Sequence, residues 1–155
     1  MAHTAGWDTA EPIPGTPFRE LIPADLTGGA FSCHSAVIAP HRLVVPHTHT
    51  REDEFSLVFR GQLGARIGDQ DVVVDEGAVL LQPKNVLHAL WNATDVDVVL
   101  LVFIAPPGFE GFFREMGALG RPAQPEVLHL ISERYGHIPH PELIPELSQR
   151  YAVTP

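Results

Sequence analysis

His47-Thr48-His49-Thr50-Arg51-Glu52-Asp53-Glu54, followed by Gly61 and answered downstream by Gly77, Pro83, His88 and Asn92, decides how this chain is read. Two imidazoles one residue apart, a nearby carboxylate and a third, later imidazole form a donor set suited to one divalent transition metal. Residues two apart in a strand share a face, so His47 and His49 point one way and Thr48 the other. Leu43 and Val45 fall on the same side as the histidines, which the alternation assigns to a barrel interior. Glu54 opens the next strand after the bend over Thr50–Asp53. His88 follows the Pro83-Lys84-Asn85 turn on a much later strand, and closure of the sheet is what brings it to the others.

Strand candidates extend on both sides of this stretch, over 31–39, 42–46, 54–60, 62–67, 71–74, 78–82, 86–92 and 96–104. Gly68-Asp69-Gln70 reads as a tight hairpin between two of them. Fifteen prolines and thirteen glycines favour short strands and turns over long helices. Many short strands at this spacing predict an all-β antiparallel barrel or sandwich, not a parallel βαβ sheet. Residues 1–30 read as an extended arm with one edge strand near Phe18–Ile22, 31–117 as the barrel, and 118–155 as a tail. Phe109, Phe112, Phe113 and Met116 carry the i, i+3, i+4, i+7 stripe of a helix that stops at Gly117. A second helix starts near Pro125 and ends at Gly136, and the proline-rich tail from Ile138 is expected to be irregular.

Composition narrows the function. The 155 residues include 45% hydrophobic and 19% charged side chains, which describes a globular domain with a proper core rather than a disordered chain. The formal net charge of −9 argues against nucleic acid or an anionic membrane as the partner. A single cysteine, Cys33, excludes an internal disulfide and a thiolate-built zinc site. No basic start followed by an apolar run is present, and Val98–Ala105 is far too short to span a bilayer, so a cytoplasmic location is expected.

With those residues in view, the chain resembles the cupin superfamily. Residues 47–61 match the pattern HxH-x4-E-x6-G, and 77–92 match G-x5-P-x-G-x2-H-x3-N, with Asn85 standing for the second glycine. His41 stands where the first motif usually begins with Gly. The resemblance implies a jelly-roll β-barrel, with two short C-terminal helices here, holding a metal on His47, His49, Glu54 and His88. The run Pro107–Met116, followed by a helix and Tyr135-Gly136, is similar to the tail of monocupins of the quercetin 2,3-dioxygenase type. That implies a metal-dependent dioxygenase acting with O2 on a small enol- or phenol-type molecule, with Glu54 as catalytic base, in a homodimer; read from the residues alone, Glu54 serves equally as a plain ligand.

Three His and one Glu leave coordination positions open on Fe, Mn, Ni, Co, Cu or Zn, and the sequence does not choose among them. The same site suits a redox-neutral isomerase, cyclase or lyase, or a barrel that only binds a ligand. Ser56 shares the face of Glu54, and Phe112, Phe113 and Met116 are candidates for a substrate pocket. Phe55, Phe59 and Phe103 read first as core. Trp91 is expected to point opposite to His88. Cys33, His34, His41, His129, His137 and His140 have no partner at metal spacing and are expected to be structural or exposed.

Overall fold

Alternation sets which side of each strand is buried. In Asp53–Arg60, Glu54, Ser56 and Val58 are buried, while the residues between them are at least partly exposed. A computed structural model describes residues 2–119 and 124–155. Its strands are β1 (Phe18–Ile22), β2 (Ser32–Ile38), β3 (His47–His49), β4 (Asp53–Arg60) and β5 (Leu63–Ile67). They continue as β6 (Gln70–Val74), β7 (Val79–Gln82), β8 (His88–Trp91), β9 (Val98–Ala105) and β10 (His137–Pro139). The helices are α1 (Glu110–Ala118), α2 (Pro125–Tyr135) and α3 (Ile144–Tyr151).

Two antiparallel sheets result, ordered β1-β2-β9-β4-β7 and β10-β3-β8-β5-β6. The all-β jelly-roll expected from the strand pattern is the fold observed. The main core lies between the sheets and joins Ala36, Ile38, Val58, Leu63, Leu90, Val98, Leu100, Val102 and Ile104 to Phe109 and Phe113 of the α1 region. Burial of this apolar surface is the main stabilising term. In the β5–β6 hairpin, Ile67 pairs with Gln70, and Gly68 has a φ of 57°. That is the loop position where a two-residue II′-type turn takes glycine. Among the described residues no helix is long and apolar enough to cross a membrane.

Five expectations need correction. Residues 42–46 do not form a strand: Pro46 has no N–H to give a ladder, and the alternation slips there. Leu43 joins a second, outer core, Val45 is exposed, and Val44 is the one that packs on the barrel interior. Helix α1 runs on through Gly117 to Ala118, because Gly117 marks a close approach of the helix to Pro14, not a stop. Phe55, Phe59 and Phe103 face outward; Phe59 is exposed and packs on Trp7, while Phe103 packs on Phe31.

The tail beyond Ile138 is ordered where irregular chain was expected. His137–Pro139 adds β10 to the edge of the second sheet, and Leu147 of α3 and Val153 just after it then pack against Leu43, Ala89 and Trp91. Trp91 does point opposite to His88, but the chain's own Tyr151 stacks on it at 4.2 Å. The alternation that turns Trp91 outward was legible; the cover over it depends on pairing across more than forty intervening residues.

Candidate metal centre

The register of the strands assembles the site. His47 of β3 lies directly opposite His88 of β8, and Glu54 of β4, from the facing sheet, lies opposite Gln82 of β7. Ligand atoms of His47, His49, Glu54 and His88 all fall within 4.8 Å of one another. The Nε2 atoms of His47 and His49 are 3.2 Å apart, and those of His47 and His88 are 3.0 Å apart. Glu54 Oε2 is 3.3 Å from His49 Nε2 and 3.5 Å from His88 Nε2.

These separations fit a bound cation. Metal–ligand bonds of about 2.1 Å place adjacent donors about 3.0 Å apart in an octahedron and about 3.4 Å apart in a tetrahedron. The far nitrogens are committed elsewhere. His47 Nδ1 donates to the Val45 carbonyl at 2.7 Å, His88 Nδ1 faces the Val86 carbonyl at 3.3 Å, and His49 Nδ1 lies 2.7 Å from Glu52 Oε1. Partners of this kind hold the proton on Nδ1 and turn the Nε2 lone pair toward a metal. Gln82 Nε2 donates to Glu54 Oε2 at 3.3 Å and sets the carboxylate's direction.

The electrostatics describe a cluster whose carboxylates draw positive charge, taken up without an ion by a proton on His49. Burial, then the neighbouring His88, His49 and His137, holds the His47 pKa well below the ordinary value, so this ring is neutral and free to coordinate. Burial pulls His49 down as well, but the Glu52 and Glu54 carboxylates override it and push the ring up to about 9. Burial opposes ionisation of Glu54, and its contacts with His49 and His88 outweigh that, holding its carboxyl well below the usual range.

Two turns explain how motif departures are tolerated. Asn85 and His41 both adopt left-handed backbone, with φ of 62° and 57°, so the conformation usually given to glycine is kept with a side chain in place. The Asn85 amide donates to the His49 carbonyl at 2.7 Å, tying the turn before His88 to β3. Asn92, the last residue of the second motif, is fully buried and donates to the carbonyls of Ile38 and Val96.

His49, Glu54 and His88 are buried, whereas His47 is partly open to solvent and marks the mouth of the site. The rings of Phe109 and His49 meet edge to face with centroids 4.2 Å apart, and those of Phe112 and His137 have centroids 4.7 Å apart. Of the pocket candidates, Phe112 is at this mouth. Phe113 instead stacks on Phe18 at 3.8 Å inside the core. Met116 is half-buried a turn farther along α1. Ser56 faces inward one pleat beyond Glu54, fully buried, with no hydrogen-bond partner for its hydroxyl among the described residues.

Glu52, Gln82, Phe109 and His137 escaped the sequence reading as site residues. Glu52 left a local signal, a carboxylate three residues after His49 in a bend; the others depend on register or on chain from beyond the barrel. The remaining candidates behave as structural or surface groups. Cys33 is buried, which pushes its thiol up to about 11. His34 is buried beside Ser32, His41 pairs with Asp95 at the surface, His129 is exposed, and His140 meets Thr48 at 3.0 Å.

Comparisons with known proteins agree with the geometry. Residues 34–104 match the cupin domain family. KdgF from a Halomonas species is similar in structure, with a TM-score of 0.60 at 12% identity over 72% of this chain and 98% of that one. An uncharacterised Klebsiella pneumoniae protein with a double-stranded β-helix domain gives a TM-score of 0.57 at 14% identity, over 68% of this chain and 91% of that one. A predicted oxalate decarboxylase from Thermotoga maritima gives 0.51 at 20% identity, over 58% and 79%. No curated protein matches the sequence. Residues 34–104, which match the cupin domain family, carry all four clustered donors and most of the two-sheet barrel.

Proposed function

We propose that this chain is a cupin and a metal-dependent enzyme that takes a small molecule with an acidic enol or phenol oxygen and reacts it with dioxygen. The observation that carries the reading is the placement of Glu54: an ionised carboxylate, buried among three imidazoles and held by Gln82, beside a mouth lined by aromatic rings. A divalent ion held by His47, His49, Glu54 and His88 supplies Lewis acidity and, if redox-active, a route for electrons to oxygen. The protein's own part is to hold the substrate and move its proton. Glu54 accepts the hydroxyl proton of the arriving enol or phenol as general base, and Gln82 keeps the carboxylate oriented for that transfer. Phe109 and Phe112 exclude water and offer flat apolar surface to a conjugated substrate.

Oxygen uptake tests this directly. Protein reconstituted separately with Fe, Mn, Ni, Co or Cu is expected to consume O2 with at least one of a panel of flavonols, β-diketones and catechols. Glu54→Gln is expected to lower the rate by at least a hundredfold. No uptake with any metal and any member of that panel refutes the dioxygenase reading.

A second reading is a redox-neutral isomerase or lyase that uses the ion only to stabilise an enolate. It is favoured by the buried hydroxyl of Ser56, which faces the interior beside Glu54 and suits a more oxygen-rich substrate than a flat aromatic one. Turnover without oxygen in the zinc-loaded protein identifies it.

A further inference from the structure

The imidazole of His137 lies at the mouth of the metal centre without belonging to its ligand set. It arrives on β10, outside the matched cupin domain, where His137 pairs directly opposite His49. Directly opposed residues of an antiparallel pair project from the same face of the sheet, so His137 faces the side on which His49 reaches the site. Its ring centroid is 4.9 Å from that of His47, 6.1 Å from His49 and 4.7 Å from Phe112. It therefore stands over the partly open side of the cluster.

The position is tightly built. Gly136, just before it, has a φ of 67° and no room for a Cβ against Thr50 and Arg51, and its carbonyl accepts from the Thr50 amide at 2.9 Å. Arg51 also reaches past this turn to the Arg134 carbonyl at 2.8 Å. His137 Nδ1 lies 3.2 Å from the Ser132 hydroxyl on α2. A ring pinned at one nitrogen, half-exposed and set over a metal site has its second nitrogen available to whatever enters the mouth.

We propose that His137 is a substrate-binding residue. The Ser132 hydroxyl donates to Nδ1, which leaves the proton on Nε2, and Nε2–H donates to an oxygen of the molecule bound at the metal. Phe112, against the other side of the ring, keeps the imidazole upright. The preferred ligand is thus a molecule with two neighbouring oxygens, one for the metal and one for His137, such as a catechol or an α-hydroxy enone. This rests on the enol or phenol reading of the site but not on the use of dioxygen.

Cobalt(II)-loaded protein titrated with 4-nitrocatechol, followed by the visible spectra of metal and probe, tests the proposal. The wild type, His137→Ala and His137→Gln are compared, with metal content and melting temperature measured for each. His137→Ala is expected to keep one cobalt per chain and an unchanged ligand-free cobalt spectrum, yet to bind 4-nitrocatechol about tenfold more weakly, the size of one hydrogen bond to a charged oxygen. His137→Gln, which keeps a donor, is expected to recover most of that affinity. Equal affinity in all three proteins overturns the proposal, as does loss of cobalt in both variants, which would make the ring a ligand. Failure of the wild type to bind the probe overturns it together with the enol or phenol reading. Binding that depends on His137 without oxygen uptake leaves it standing and removes only the dioxygenase.

Discussion

Glu52 shows how much the centre depends on a side chain that is not itself a ligand. It is 4% exposed, and its carboxylate lies against His49 Nδ1 at 2.7 Å, the contact that fixes which nitrogen of His49 faces the ion. Replacing it with alanine is expected to weaken metal binding by about ten- to a hundredfold, the usual cost of losing such a partner. Competition for zinc with a chromophoric chelator measures this, and unchanged affinity would show that His49 orients itself. His47, whose Nδ1 is held by a backbone carbonyl, has no side chain whose replacement could release it in the same way. The four clustered donors were legible from local spacing. Gln82 and His137 were not, because each meets its partner across a ladder whose register only the folded sheets define.

At the scale of elements, α3 is fastened to the barrel by the packing of Leu147 and by two carboxylates, its own Glu146, which accepts from Arg66 at 2.9 Å, and Asp71. Asp71 on β6 receives a forked pair of hydrogen bonds from Arg66 at 2.6 and 2.9 Å, a third from the Tyr151 hydroxyl at 2.6 Å, and the Arg150 guanidinium lies 3.2 Å away. These groups, Arg66 first, hold its pKa down at about 2. An unfolded aspartate titrates near 3.9. The contribution to stability is therefore complete above about pH 4 and is lost as the pH falls through about 2. Acidification across that window is expected to loosen α3 and expose Trp91, shifting its fluorescence to the red in a Trp7→Phe background. Asp71→Asn is expected to remove most of that pH dependence, whereas an unaltered profile would place the acid-sensitive fastening elsewhere. Helix α1 was readable from its apolar stripe and α2 from its stripe and end signals, but α3 was hidden by prolines at 139, 141 and 145, of which Pro145 sits at a helix start where proline is tolerated.

For the molecule as a whole, an ion bound at the four donors and the fold would be one energetic system. Four donors drawn from both sheets meet only in the folded chain, so an ion that binds them stabilises the native state alone. At a hundredfold excess over its dissociation constant, that linkage amounts to about 2.7 kcal/mol. Removing the metal by chelation is thus expected to lower the melting temperature by about 5–10 °C, read by calorimetry, and re-adding it should restore the loss. His88→Ala should melt at the same temperature with or without metal. The barrel was legible because strand alternation and turn residues are local, and the stripe of α1 pointed to Phe112; His137 was not, because β10 comes from sequence that carries no metal motif. That division along the chain also sets an order of assembly. Every proposed ligand lies at or before residue 88, while Phe109, Phe112 and His137 all come later. During synthesis the cation's donors leave the ribosome before the residues that roof them, so the ion can be captured while its chamber is still uncovered.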